Sequence, residues 1–210
     1  MNNSLDKRLD QILPVITSDD FLKAAGLGNE LAFHIFDYPP EKELHVRKHI
    51  QWLLEQLPHK RAGIQAIHIN LFTFLVNYLR ERGLLDKAFK MQSEKGDAAL
   101  MKALRGPLHE QKLAEVFAKA SQPEKHDIVL VSGVGNVYPL LRSHTLLNNL
   151  HSIMGQTPLV LFYPGCYDGV SLRLFGKSTL TAGIGVAGDK SQTPYYRAFR
   201  LIPEEPLHAH

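Results

Sequence analysis

Two short apolar runs, Asp127–Ser132 and Pro158–Tyr163, flank a segment, Tyr138–Met154, whose apolar residues recur at helical spacing. Strand, crossover helix and second strand form the unit of a parallel sheet. The same alternation of periods recurs upstream. Residues 4–13 carry a one-sided stripe, Leu5, Leu9, Ile12 and Leu13, which Pro14 is expected to end. Ser18 reads as the N-cap of a second helix over Asp19–Ala25, with Gly26 just beyond it. Leu31–Tyr38 is apolar on both faces except at His34, as in a strand covered on both sides. A helix over Glu41–Leu57 follows, with Val46, Ile50, Leu53, Leu54 and Leu57 on one face and Pro58 at its end. Ile64–Leu71 is the second strand, and residues 72–120 read as helical throughout, fraying at Gln92–Asp97. After Pro164 the period becomes two: Ser171–Phe175 and Tyr195–Ile202 predict a terminal, antiparallel pair at the sheet edge. Between them lies Gly176–Pro194, too long for a tight hairpin.

The predicted fold is α/β: a mixed, mainly parallel sheet of about five strands flanked by helices, with a helical insertion between strands two and three. It forms one domain over residues 1–203, with N-terminal helices in 1–28, the insertion at 72–120 and a disordered tail at 204–210.

Composition narrows the class without naming a reaction. Hydrophobic residues make up 44% and charged residues 21%, a globular balance that excludes general disorder. The net charge of +3 permits contact with an acidic partner or nucleic acid but demands neither. The single cysteine, Cys166, excludes an internal disulfide and suits a reducing compartment. No apolar run approaches the roughly 20 residues that span a bilayer, and the N-terminal residues lack the apolar core of a signal peptide. The chain reads as cytoplasmic, with no membrane contact.

Each catalytic or cofactor template fails on context. Gly183-Ile-Gly185-Val-Ala-Gly188 matches the dinucleotide fingerprint literally, but that fold needs a strand before it and a helix after it, and here Asp189–Pro194 and the last strand follow instead. Ser171–Ser178 and Gly183–Ser191 approximate a phosphate loop, the first lacking its opening glycine and the second one residue too long. His45 and His49 are four apart on a helix, without a marked third ligand, so solvated histidines are the simpler reading. Cys166 would need a base; His34, His144 and His151 are candidates by type alone. Ser132 lacks the nucleophile elbow and reads as turn chemistry. No cofactor and no metal are called for. Arg173, Tyr195, Tyr196, Arg197 and Arg200, with Phe199, put cations beside aromatics, a possible stacking surface for single-stranded nucleic acid. The alternative is an edge strand whose charges block aggregation.

Four strings then carry a resemblance. They are Ser132-Gly133-x-Gly135-x-x-Tyr138-Pro139-Leu-Leu-Arg142-Ser143-His144; Leu161-Phe162-Tyr163-Pro164-Gly165-x-Tyr167-Asp168-Gly169; Leu172-Arg173-Leu174-Phe175-Gly176; and Tyr195-Tyr196-Arg197-Ala198-Phe199-Arg200-Leu201. In these, and in length, the chain resembles the BrxB family, encoded in BREX phage-defence operons. The resemblance implies a core component without established catalytic activity and brings no catalytic residues with it. It implies an adaptor or scaffold within a defence complex, with the alkaline-phosphatase-like PglZ protein as direct partner, other BREX components around it, and DNA reached indirectly.

On these grounds the docking surface is expected at the carboxyl ends of the strands, formed by Tyr38, Asn136, Tyr138, Arg142, Tyr163, Tyr167 and Asp168 as one exposed patch, with Tyr138 and Tyr163 as buried core residues in the alternative reading. The competing functions are a nucleotide- or nucleic-acid-binding protein using the same strand ends and a hydrolase using Cys166 or Ser132.

Overall fold

The structure is a computed structural model; it describes residues 3–24, 33–141, 143–150, 154–169, 171–176 and 198–203. The expected loop at Gly176–Pro194, Tyr195 to Arg197, the tail at 204–210 and Arg142 fall wholly or almost wholly outside these residues.

The apolar runs pair as a parallel sheet. Strands β1 (Phe33–Tyr38), β2 (Ala66–Asn70), β3 (Ile128–Ser132), β4 (Leu159–Tyr167) and β6 (Ala198–Arg200) lie in the order β2-β3-β4-β1-β6, and β5 (Leu172–Leu174) pairs with the far end of β4. Every neighbouring pair is parallel except β4–β5. The centre is fully buried on both faces, which is why β3 is apolar at every position but its last.

Pleat parity splits the core. Phe33, Ile35, Val129, Val131, Leu159, Leu161 and Tyr163 face one layer, made by α4 (Leu71–Glu81), α6 (Glu110–Ser121) and α8 (Ser143–Leu150). Phe36, Tyr38, Ile128, Leu130, Val160 and Phe162 face the other, made by α1 (Asn3–Ile16), α2 (Asp19–Ala24) and α3 (Glu43–Lys60). Leu9, Ile12 and Ile16 of α1 interlock there with Val46, Ile50, Leu53 and Leu57 of α3, the two stripes legible in the sequence.

Local departures from expectation have local causes. Pro14 and Pro58 lie inside the last turns of α1 and α3 instead of ending them. So near a terminus, proline costs one backbone hydrogen bond and leaves the rest of the helix intact. The expected crossover helix over 138–154 is broken. A single turn, α7 (Val134–Val137), starts straight after β3 on the left-handed Gly133, and α8 begins only after Pro139. A residue before proline is pushed out of the helical region, and Tyr138 adopts φ −71°, ψ 137°. The helix α5 (Leu85–Leu104) runs through the expected fraying point, broken only at Gly96.

The two terminal strands do not pair with each other, contrary to expectation. β6 adds to the open edge of β1 in parallel, and Leu201 N–H donates to the Ile35 carbonyl at 2.8 Å. β5 folds back on β4, which continues past Tyr163 through Pro164 and Gly165 to Tyr167. Gly165 permits this: a Cβ there would run into the Arg173 carbonyl oxygen.

Candidate functional site

The carboxyl ends of the strands divide into two regions. The first surrounds Asp37, the one carboxylate of β1, 3% exposed. Arg8 of α1 donates from Nη2 to its Oδ1 at 2.8 Å, and the Tyr167 amide donates to Oδ2 at 2.9 Å. Arg200 of β6 lies 3.5 Å from Oδ2 and donates to the Tyr167 carbonyl. The Arg8 guanidinium sits over the Phe36 ring, 4.8 Å from its centroid. Tyr167 completes the knot: its hydroxyl donates to the Ala198 carbonyl at 2.6 Å, and burial raises its pKa. Beside it, the Tyr38 hydroxyl donates to Glu43 at 2.5 Å, and Glu43 holds Arg47 at 3.2 Å. Burial, followed by that carboxylate, pushes the Tyr38 phenol far up, so it remains protonated. A buried charge is tolerated only when paired and hydrogen-bonded, and Asp37 is both.

The second region lies at the ends of β2 and β3. Asn70 caps α4, accepting from the Phe72 and Thr73 amides at 3.1 and 3.2 Å. Its amide also reaches Ser132 Oγ at 3.4 Å, and Ser132 Oγ is 2.8 Å from His68 Nε2. Burial lowers the His68 pKa, so the ring is neutral near pH 7. Gly133 packs against this cluster with φ 78°; a Cβ there would stand 2.8 Å from Asn70 Oδ1. Outside the cluster the surface turns aromatic. Phe72 opens α4, Tyr138 follows α7, and Phe175 lies with its ring edge against Gly135; all three are exposed, as is Asn136.

The seven residues expected as one exposed patch therefore separate. Asn136, Tyr138 and Asp168 are exposed, whereas Tyr38, Tyr163 and Tyr167 are 2%, 1% and 1% exposed and belong to the core. The reason is parity: each tyrosine points along a pleat already facing a helical layer, and its hydroxyl is the only part that needs a polar partner. Arg142 lies outside the described residues. Of the residues expected at a nucleic-acid surface, Tyr195, Tyr196 and Arg197 are likewise outside, Arg173 is exposed but bridged to Asp168 at 2.9 Å, and Arg200 is turned inward to Asp37. Cys166 is exposed and lies cross-strand from Arg173.

His45 meets Asp6 of α1 at 2.7 Å, while His49 packs against Trp52 with a pKa lowered by burial. Among the described residues no group of three or more His, Cys, Asp or Glu is arranged to hold a metal, and no helix is long and apolar enough to cross a membrane. Sequence reasoning missed Asp37, Arg8, His68, Asn70, Phe72 and Phe175. The signal for Asp37 was present, since a lone acid in a buried strand must be paired within the fold. Nothing local marked Phe72 or Phe175, whose exposure depends on where α4 and β5 dock.

Comparison with known proteins gives a consistent answer. A family model described as BREX protein BrxB matches residues 67–201. A BREX protein BrxB of Escherichia coli O9:H4 (strain HS) is 42% identical over 202 residues, covering 95% of this chain and 92% of the relative. A BREX protein BrxB of Bacillus cereus (strain H3081.97) is 40% identical over 202 residues, covering 94% and 97%. No solved structure matches the chain.

Proposed function

We propose a function from one premise: the chain belongs to the BrxB family. It acts as a non-catalytic adaptor in a BREX phage-defence complex, with other BREX proteins as partners and the PglZ-like protein as the direct one. The docking surface is the rim around α7, formed by Asn136 and Tyr138 with Phe72 and Phe175, and extends to the exposed Asp168 past the end of β4. The observation that carries this reading is the concentration of exposed aromatics at one end of the sheet. Phe72, Tyr138 and Phe175 all stand there with more than two fifths of their surface open. Aromatic side chains are the residue types most enriched at interfaces. Behind them, the polar groups of the strand ends are engaged with one another, which suits a rigid support.

The test is co-expression with the PglZ-like protein of the same operon, followed by purification and a measured affinity. Co-purification is expected, and Tyr138→Ala with Phe175→Ala weakens binding by about thirtyfold or more, the scale of an interface hot spot. Absence of any complex sinks the direct-partner claim.

A further inference from the structure

We propose that α5 is a second docking arm, receiving an acidic protein surface with an apolar pocket for Phe89. The starting point is how little α5 gains from its own chain. Among the residues of this helix only Leu104 is buried, whereas α4 buries Leu71, Phe74, Leu75, Tyr78 and Leu79, and α6 buries Leu113, Ala114, Phe117 and Ser121. Gly96 breaks α5 with φ 76° and ψ 176°, a conformation open essentially to glycine alone. The pieces on either side, residues 85–95 and 97–104, are each shorter than the roughly 12–15 residues at which an isolated helix becomes even marginal in water. Local contacts hold them: Lys90 to Glu94 at 3.8 Å and Gln92 to Asp97 at 2.9 Å. Contacts of that kind are weak at a surface.

The exposed side of the arm is not uniformly polar. Phe89 is 61% exposed, the most open aromatic among the described residues, whereas Leu85, one turn before it, is half-buried against the core. Charge identifies the occupant. Residues 72–120 contain nine Lys and Arg against six Asp and Glu; the rest of the chain contains fifteen of each, so the net +3 sits in this insertion. Lys87 and Lys90 are exposed beside Phe89, Lys95 nearly two turns on, and Arg80 and Arg82 stand at the end of α4. The interleaved carboxylates Asp86, Glu94 and Asp97 suit a protein surface better than a continuous phosphate backbone, which rewards unbroken positive charge. An acidic surface with a hydrophobic centre complements both features.

The experiment uses the full chain, with Phe89 replaced by a photo-crosslinking benzoylphenylalanine, in cells expressing the other proteins of its operon. Thermal melting confirms that this exposed substitution leaves the fold intact. The expected product is one protein adduct whose crosslinked segment is rich in Asp and Glu. Lys87→Glu with Lys90→Glu lowers its yield by about tenfold, since attraction across the interface becomes repulsion. A charge reversal of the same size on another helix, Lys48→Glu with Lys60→Glu in α3, leaves the yield unchanged, separating this arm from the general charge of the chain. Four results overturn the proposal: no adduct above that of the same probe at the exposed Gln51; an adduct with a second copy of this chain; a nuclease-sensitive adduct; or a yield indifferent to charge reversal.

Discussion

The end of β1 and the ends of β2 and β3 lie on the same edge of one sheet, yet they are built in opposite ways. At β1 the chain closes on itself. Asp37 collects a guanidinium from α1, another from β6 and an amide from the extension of β4, and it is 3% exposed. At β2 and β3 the polar groups are tied strand to strand through Ser132, and the surface beyond them is open and aromatic. In open α/β sheets the crevice at the strand ends is where small molecules ordinarily bind. Here the part of that edge nearest the centre of the sheet is filled by the protein's own arginines and tyrosines. Exposed aromatics stand farther out, around α7.

The sharpest way to break this comparison is to empty the closed end. Asp37→Ala leaves Arg8 and Arg200 beside a cavity without their counter-charge and deprives the Tyr167 amide of its acceptor. A loss of about 3–5 kcal/mol in unfolding free energy is expected, read by urea denaturation. Replacing the trio together, Arg8→Met, Asp37→Leu and Arg200→Met, recovers most of it, because no charge is then left unpaired. If Asp37→Ala were as stable as the parent while activity in defence vanished, Asp37 would be a functional acid and the closed end a site.

Next come the glycines that let each end form. Gly165→Ala sets a methyl against the Arg173 carbonyl and forces β5 away from β4; Gly133→Ala combines a left-handed backbone with a clash into Asn70. Each is expected to cost about 1–3 kcal/mol, the range for overpacking and backbone strain. Asn70→Ala, which removes only the cap of α4 and one contact to Ser132, costs about 1 kcal/mol. Gly165→Ala separates the two regions, since it disturbs β4–β5 pairing while leaving the His68–Ser132 contact in place by nuclear magnetic resonance.

What the chain revealed in advance follows the same division. Strands β1 to β4 were legible because continuous apolar runs bounded by turn residues have few other solutions. The stripes of α1 and α3 were legible because burial repeats with the helical period. Strand order was not legible, and β5 and β6 are too short, at three residues each, for a period to declare a partner. At the candidate site, Asn136 and Tyr138 are exposed, as a surface at the strand ends requires. Tyr38, Tyr163 and Tyr167 were placed wrongly because a tyrosine at the end of an apolar run reads alike whether its ring or only its hydroxyl reaches polar surroundings. The parity that decides between these is fixed by which layer covers each face, and no local window contains that.

A smaller effect is expected from pH. His68 at the open end and His49 between α1 and α3 both have pKa values lowered by burial, so the unfolded chain binds these protons more readily than the folded one. Their contribution to stability is therefore full above the ordinary histidine value of about 6.5 and falls away as the pH drops below it. Denaturation curves between pH 5 and 8 check the direction, and His68→Gln should flatten part of the slope. A slope of opposite sign would mean that one of these rings is held as a cation.

The smallest expected effect on the fold is the most informative about function. Tyr138→Ala removes a side chain that is nearly half exposed and sits on a turn already fixed by Gly133 and Pro139. Its unfolding free energy should stay within about 0.5 kcal/mol of the parent, as for surface changes that break no cap, core contact or buried bond. Binding to the PglZ-like protein should nevertheless fall steeply, because an aromatic anchor is worth far more when a partner closes over it than it is in water. Tyr167→Phe, at the closed end, should show the reverse: it strips the hydroxyl bonds to Ala198 and Gly169, lowering stability by about 1–2 kcal/mol while leaving affinity unchanged. Measured side by side, the two tyrosines decide whether the edge of this sheet is divided between architecture and recognition. Equal losses of affinity in both variants would show that the closed end, too, takes part in docking.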